Sequence, residues 1–379
     1  MAYRKYKLGD LVEQYDEINQ NGEFTEIDDL QGINSNKYFQ ECKSNKNDID
    51  LFRYRICRHG MFSYNRATSR NGEKISIALR TGDDCIVSPS YYCFRVKDEE
   101  VLCPEYLDIW FKRPVFDRYA RFNSWGSATE FFTFDDFCAT EIMLPSLPEQ
   151  RKIVHDYQVI TDRIELLRKM NEKLEEQIMA VYHQMFDGVC RDGTVAELGD
   201  VVGGATPSTE NAEYYCSDGI VWLSPKDLTG TGFKFIFKGE TDITEEGYNS
   251  CSTKMLPKGS VLLTSRAPVG AVAIAMKELC TNQGFKSIVP KAPYWTPYIY
   301  CLLKDSRQLL EANASGTTFL EISGDTLKKL VVPIPEEKLV EKFSRICEPI
   351  FKQQMLFEKE LTQLNSLVSI RVSSIAKGV

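Results

Sequence analysis

From Pro148 to Phe186 the apolar residues Ile153, Tyr157, Ile160, Ile164, Leu167, Met170, Leu174, Ile178, Val181 and Met185 follow one another at steps of three and four. That period draws a stripe down one face of a single long helix, with Arg151, Asp162, Arg163, Glu172 and Lys173 among the charges on its other faces. A stripe so narrow fits a partner helix better than a globular core. About forty residues at ~1.5 Å each reach ~60 Å, longer than a small domain is wide. The chain must therefore supply a second helix of that length or leave the stripe in water. A lone amphipathic helix packed on its own domain is the simpler alternative, and the rest of the sequence decides against it.

The second helix exists because the chain is written twice. Leu8-Gly9-Asp10-Leu11-Val12 is echoed by Leu198-Gly199-Asp200-Val201-Val202. Gly60 to Ala67 parallels Gly259 to Ala267 with one residue inserted, which aligns Arg66 with Arg266. Each leads to an alternating apolar run, Ile75 to Leu79 and Ala271 to Ala275, expected to be a strand. Ser127 to Phe132 matches Ser315 to Leu320, and Leu144 to Gln150 matches Val332 to Glu337. The prolines stop the preceding strand, and Pro148 and Pro335 suit the first turn of a helix. From about Glu336 to Ala376 a second stripe runs through Val340, Phe343, Cys347, Ile350, Phe357, Leu361, Leu364, Val368 and Ile375, with polar Gln354 and Arg371 at two expected seam positions. The reading is an α+β chain: two homologous mixed α/β domains joined by two long helices that form an intramolecular antiparallel coiled coil, a pseudo-two-fold repeat. Its segments are a first domain at 1–146, a first helix at 147–190, a second domain at 191–334 and a second helix at 335–379.

A length of 379 residues with 43% hydrophobic content supports two or three cores. No run of eighteen apolar residues occurs and the start is polar, so a soluble, unexported, cytoplasmic protein is expected. Twelve scattered cysteines with no CxxC or Cys/His cluster argue against a structural zinc site and fit a reducing compartment.

No Walker loop, HExxH, GxSxG or Asn/Asp-Pro-Pro-aromatic signature is present, and Val202 to Pro207 lacks the spacing and lysine of a phosphate loop. The chain is therefore expected to hold no catalytic residue, no metal and no cofactor. The net charge of −8 argues against a polyanion partner until charge is read locally. Between Phe52 and Thr81 seven basic residues face one acidic one, and between Lys254 and Lys291 six face one. One basic segment per repeat, accompanied by aromatic and amide side chains, is what a duplex-reading surface needs: cations for phosphates, and Arg, Asn or Gln for base edges.

Thr206-Pro207-Ser208, Glu213-Tyr214-Tyr215, Val221 to Leu228, Thr264 to Gly270, Asn282-Gln283-Gly284-Phe285-Lys286 and Ser315 to Phe319 resemble the specificity (S) subunit of type I restriction-modification systems. The first half matches mainly in its arginine loop, proline hinge and helix. The resemblance implies two target recognition domains, each reading one half of a bipartite double-stranded DNA sequence. It also implies a coiled coil that spaces the half-sites and docks methyltransferase (M) subunits, with endonuclease/translocase (R) subunits completing the complex. S-adenosylmethionine, ATP and magnesium would belong to those partners. The expected DNA-binding residues are Arg66, Arg70, Lys74, Tyr91 and Tyr92 in the first domain, and Trp222, Ser224, Lys226, Arg266, Asn282, Gln283 and Lys286 in the second. Replacement of Asn282 to Phe285 by Ser88-Pro89-Ser90-Tyr91-Tyr92 is expected where two domains read different half-sites. The alternative is a coiled-coil protein-interaction scaffold whose basic patches grip an acidic partner.

Overall fold

The computed structural model describes residues 3–42, 49–68, 74–127, 129–316 and 320–375. It divides into two compact units, residues 1–165 with 363–379, and residues 166–362. Each unit therefore combines one globular domain with part of both long helices.

In the first unit β1 (Arg4–Lys7) opens the domain, and β2 (Val12–Gln14), β3 (Phe62–Asn65), β4 (Ile77–Leu79) and β5 (Tyr91–Val96) form an antiparallel sheet in the order β2-β5-β3-β4. Helices α1 (Pro104–Phe111) and α2 (Pro114–Phe122) follow, each with proline in its first turn, where the missing N–H costs nothing. Strand β6 (Glu141–Leu144) returns to pair antiparallel with β1, and the chain enters α3 (Leu147–Phe186). The core is aromatic. Phe62 stacks on Phe94 at 5.0 Å and Tyr64 on Phe137 at 5.2 Å, with Phe111, Phe116 and Phe132 fully buried around them. Such offset and edge contacts add to what area burial alone provides.

The second unit repeats the plan. β7 (Arg191–Thr194) leads to a mixed sheet of β8 (Gly199–Gly203), β9 (Phe235–Ile236), β10 (Val261–Leu263), β11 (Val272–Ala275) and β12 (Lys286–Pro290), ordered β8-β12-β10-β11-β9, with only the β11–β9 pair parallel. Helix α4 (Thr296–Asp305) covers it, β13 (Val331–Ile334) closes on β7, and α5 (Glu337–Ser374) begins. The expected strands are thus present but start later, at Ile77 and Val272.

Backbone pairing corrects the opening alignment of the repeat. Lys97 N–H donates to Leu11 O, and Lys291 N–H to Leu198 O, at the ends of equivalent strands. Leu11, and not Leu8, therefore occupies the place of Leu198. The similar letters Leu-Gly-Asp lie three residues out of phase, because a short match carries less weight than the ladder that fixes strand register.

The helices pair antiparallel. In the second unit Phe186 and Tyr182 meet Phe343 at 5.2 and 6.1 Å, while further back along α3 Asn171 O and Glu175 Oε2 accept from Gln354 Nε2 at 3.3 and 3.2 Å. In the first unit Ile153, Val154 and Tyr157 share a cluster with Val368, Val372 and Ile375. Two seam assignments shift. Val372 is buried where Arg371 was expected, since a step of four from Val368 keeps an apolar residue inside and leaves the guanidinium in water. Near its C-terminus α3 buries Tyr182 and Phe186 more deeply than Val181 and Met185, because this end also packs on Tyr298 of α4. Met170 remains 41% exposed.

A buried charged network sits where α3 and α5 meet the second domain. Lys234, with its side chain 4% exposed, contacts Glu175, donates to Gln354 Oε1 at 2.6 Å and lies over the rings of Phe351 and Tyr300 at 4.4 and 4.6 Å. Glu175 also accepts from Lys304 and from Tyr300 OH, the latter at 2.9 Å. Glu358 accepts from the backbone N–H groups of Lys234 and Phe235 at 2.8 and 3.0 Å. Gln354, expected as a polar seam residue, is therefore the point where the helix pair is pinned to the domain.

Candidate nucleic-acid interface

In the second unit the loop after β8 lies against the turn that enters β12. Ala205 N–H donates to Thr281 O at 3.0 Å, Trp222 Nε1 donates to Ala205 O at 3.0 Å, and Asn282 N–H donates to Leu223 O at 2.8 Å. The turn holds its own shape through Asn282 Oδ1, which accepts from Gly284 N–H at 2.8 Å. Gln283 is exposed and meets Thr206 through its carboxamide. Lys286 Nζ donates to Gln283 O at 3.2 Å and lies 3.4 Å from Glu321, whose other oxygen is 3.8 Å from Arg266. Trp222, Arg266, Asn282, Gln283 and Lys286 are thus brought together. Ser224 is beside them, but its N–H and hydroxyl both bond Asp227 Oδ2 at 2.7 Å and cap the short helix Pro225–Thr231. Lys226 points off that helix, exposed, to Glu240 at 2.9 Å.

The first unit has the same turn with other side chains. Tyr91 N–H donates to Ser88 O as Phe285 N–H donates to Asn282 O, and Ser88 Oγ accepts from Ser90 N–H as Asn282 Oδ1 does from Gly284. Tyr92 consequently holds the place of Lys286. Its ring packs on Tyr64 and Phe134 at 5.4 and 5.8 Å, while the Arg66 guanidinium lies 5.9 Å from it and 5.3 Å from Phe131. Tyr91 is half-buried, its hydroxyl accepting from Ile33 N–H at 3.4 Å, and burial raises its pKa. Lys74 is exposed and lines a cavity with Lys37 and Lys112, apart from the Arg66 cluster. Arg70 lies outside the described residues, as do Thr317, Thr318 and Phe319 of the resembling motif.

The arginines are not equivalent. Arg66 N–H donates to Ser90 O and Arg66 O accepts from Phe132 N–H; the matching bonds in the second unit are made by Ser265, with Gly284 and Ile322. Arg66 therefore takes the place of Ser265, Ala67 that of Arg266, and no residue is inserted. A one-residue step along an extended chain turns the side chain to the opposite face. Each arginine still reaches the same neighbouring position, Phe131 in one unit and Glu321 in the other, which moves the match of Phe132 from Leu320 to Ile322.

The first basic segment is also less open than its sequence implies. Arg58 binds Glu17 at 2.6 Å, Asp84 at 3.1 Å and Glu23, Arg55 binds Asp16, and Arg53 binds Asp50 at 3.0 Å. These carboxylates all lie outside the segment from Phe52 to Thr81, so its charge count misses every one of them. Sequence reading likewise left Glu321, Thr206 and Phe131 out of the candidate site residues, as it did Phe122 and Trp125, which are 80% and 69% exposed. Exposure of these two large aromatics is not written in their spacing.

Gly204 offers a test that removes no candidate contact residue. A Cβ there would fall 2.0 Å from Thr281 O and 2.4 Å from Asn282 O. Gly204→Ala is expected to cost about 1–3 kcal/mol through this backbone clash, and to weaken the second domain's surface without altering the first. Denaturant unfolding and hydrogen exchange at residues 281–286 would measure it.

Among the described residues no group of three His, Cys, Asp or Glu side chains is placed to hold a metal ion, and no helix is long and apolar enough to cross a membrane. What the structure holds is an α+β domain built twice, each copy displaying a different set of side chains on one backbone turn and each sharing both long helices. The chain belongs to the family described as the type I restriction modification DNA specificity domain, which matches residues 4–176 and again 191–365.

Relatives agree. The chain is 40% identical over 179 residues to the type I restriction enzyme MjaIX specificity subunit of Methanocaldococcus jannaschii, covering 45% of this chain and 41% of that one. It is 21% identical over 459 aligned positions to the HindI specificity subunit of Haemophilus influenzae, covering 98% of each. In fold it is similar to the S subunit of a type I restriction-modification system from M. genitalium, with a TM-score of 0.61 at 14% identity, covering 99% of this chain and 96% of that one.

Proposed function

We propose that this chain is the DNA-reading subunit of a type I restriction-modification complex and that its two domains recognise two different half-sites of a bipartite duplex target. The observation that carries this is the shared turn. Ser88 to Tyr92 and Asn282 to Lys286 make the same backbone bonds, yet one presents Pro89 and Tyr92 beside Arg66 and the other Gln283 and Lys286 beside Arg266. A fixed frame with exchanged side chains is what two sequence preferences on one scaffold require: phosphate contacts orient the frame, and base-edge contacts differ. Arg266, Gln283, Asn282 and Lys286 are the base and phosphate readers of the second half-site, with Trp222 supporting the loop. Arg66 with Tyr92, together with Arg70, serves the first.

Methyl transfer and cleavage belong to M and R subunits, and the helix pair is the surface on which the M subunits dock. Mapping of methylated adenines across the genome, with and without this gene, tests the reading. A single two-part motif with a constant spacer is expected to vanish on deletion. An unchanged methylation pattern in cells that carry active M subunits would refute it.

A further inference from the structure

The two units treat an equivalent place differently. In the second, a buried lysine, Lys234, and a lysine at the end of the domain helix, Lys304, converge on Glu175, a carboxylate supplied by the paired long helices. In the first, a lysine equally buried, Lys37 at 4% exposure, and Lys112, at the end of the corresponding helix α1, also approach the paired helices. Among the described residues, the carboxylates paired with them are Asp117 and Asp108 of the domain itself. The space is a cavity of about 400 Å³, walled by Lys37, Lys74, Lys112 and Arg118 on the domain side and by Asn365 and Ser369 on α5.

The local charge is in excess. Lys37 is matched by Asp117 at 2.7 Å and Lys112 by Asp108, both within the domain. Lys74 and Arg118 are exposed and have no acidic partner among the described residues. Lys37 is moreover held at φ +66°, a backbone conformation that costs a non-glycine residue energy and that persists only where its surroundings fix it. Tyr157 of α3 supplies an aromatic wall.

We propose that this cavity binds a phosphate group, carried by a ligand of mononucleotide size, in the place that Glu175 fills in the second unit. Two surplus cations suit a dianion better than one carboxylate, and the guanidinium and ammonium donors match phosphate oxygens. The volume lies within the range of small-ligand pockets, and the Tyr157 ring can stack on a base. The site does not depend on how the turns read DNA.

Isothermal titration calorimetry of the full chain with inorganic phosphate and with AMP, against sodium chloride of matched ionic strength, tests it. Saturable one-site binding is expected, weakened about tenfold or more in the double variant Lys74→Gln/Arg118→Gln, since each removes a charge-assisted hydrogen bond. Ser369→Glu hangs a carboxylate from the helix as Glu175 does in the other unit, and is expected to abolish binding while raising the thermal midpoint. Absence of saturation with both probes, or undiminished binding in these variants, would overturn the proposal. Adding duplex DNA identifies the source: displacement of bound AMP assigns the site to a DNA backbone phosphate, and simultaneous binding assigns it to a free phosphorylated ligand.

Discussion

Replacing Glu175 by alanine is expected to lower stability by about 3–5 kcal/mol, because it leaves Lys234 buried without its counter-charge. The ion pair itself need not be strongly stabilising, since desolvation offsets much of the attraction. The large effect comes from breaking it on one side. The paired replacement Glu175→Met/Lys234→Met should therefore recover most of the loss, and a double-mutant cycle in denaturant measures the difference. Equal destabilisation by the single and double variants would rule out this account. Lys304 and Gln354 also contact Glu175, so the single variant should loosen α5 from α3 as well, visible as faster hydrogen exchange around residues 350–360.

The same carboxylate sets a pH dependence. Burial opposes its ionisation, but Lys234 and Lys304 outweigh burial and hold Glu175 down to about 2, against an ordinary value of 4.5. A depressed carboxyl contributes stability that is fully present above the unfolded value and lost as pH falls from there toward the folded one. Glu175 therefore weakens the second unit between about pH 4.5 and pH 2. Glu358 acts in the other sense, since burial raises its pKa despite the two backbone donors, so its contribution grows as pH falls. Stability of Glu175→Gln is expected to fall less steeply than that of the native chain between about pH 4.5 and pH 2, as acid unfolding would measure.

In an assembled methylating complex, Arg266→Ala and Gln283→Ala are each expected to cost roughly 1–3 kcal/mol of discrimination, about five- to 150-fold, at the second half-site alone. Methylation rates on oligonucleotides carrying single mismatches in one half or the other measure this. Relaxation of both halves, or of neither, would show that these side chains are not the readers. The two variants should differ in salt response. Arg266 stands beside Lys286 and Glu321, so its removal changes local charge and the salt slope, whereas loss of the neutral Gln283 changes selectivity with the slope kept.

Periodicity alone made the long helices legible, since ten positions at steps of three and four leave few other structures open. It could not distinguish Arg371 from Val372, because both lie one turn beyond Val368 and only the cost of burying a guanidinium chooses between them. The network of Lys234, Glu175 and Glu358 was invisible for a different reason. Its members are far apart in sequence and each is an ordinary surface residue by composition. The same distance hid Glu17, Glu23 and Asp84 from a count that credited Arg58 to an open basic patch. At the candidate interface, residue types were readable and their grouping in the second unit followed. The partner that sets the environment of two of them, Glu321, comes from the other end of the domain.

The shift between Arg66 and Arg266 has a practical consequence for exchanging the turn-bearing surfaces between the two domains. A graft cut along matching letters would seat Arg266 on the backbone position that Ser265 occupies, so that it emerged from the wrong side of the strand. Cut along matching hydrogen bonds, the same segment would carry serine to position 66 and arginine to position 67, and its side chains would arrive in phase. The duplicated halves are interchangeable parts only when the splice follows the ladder.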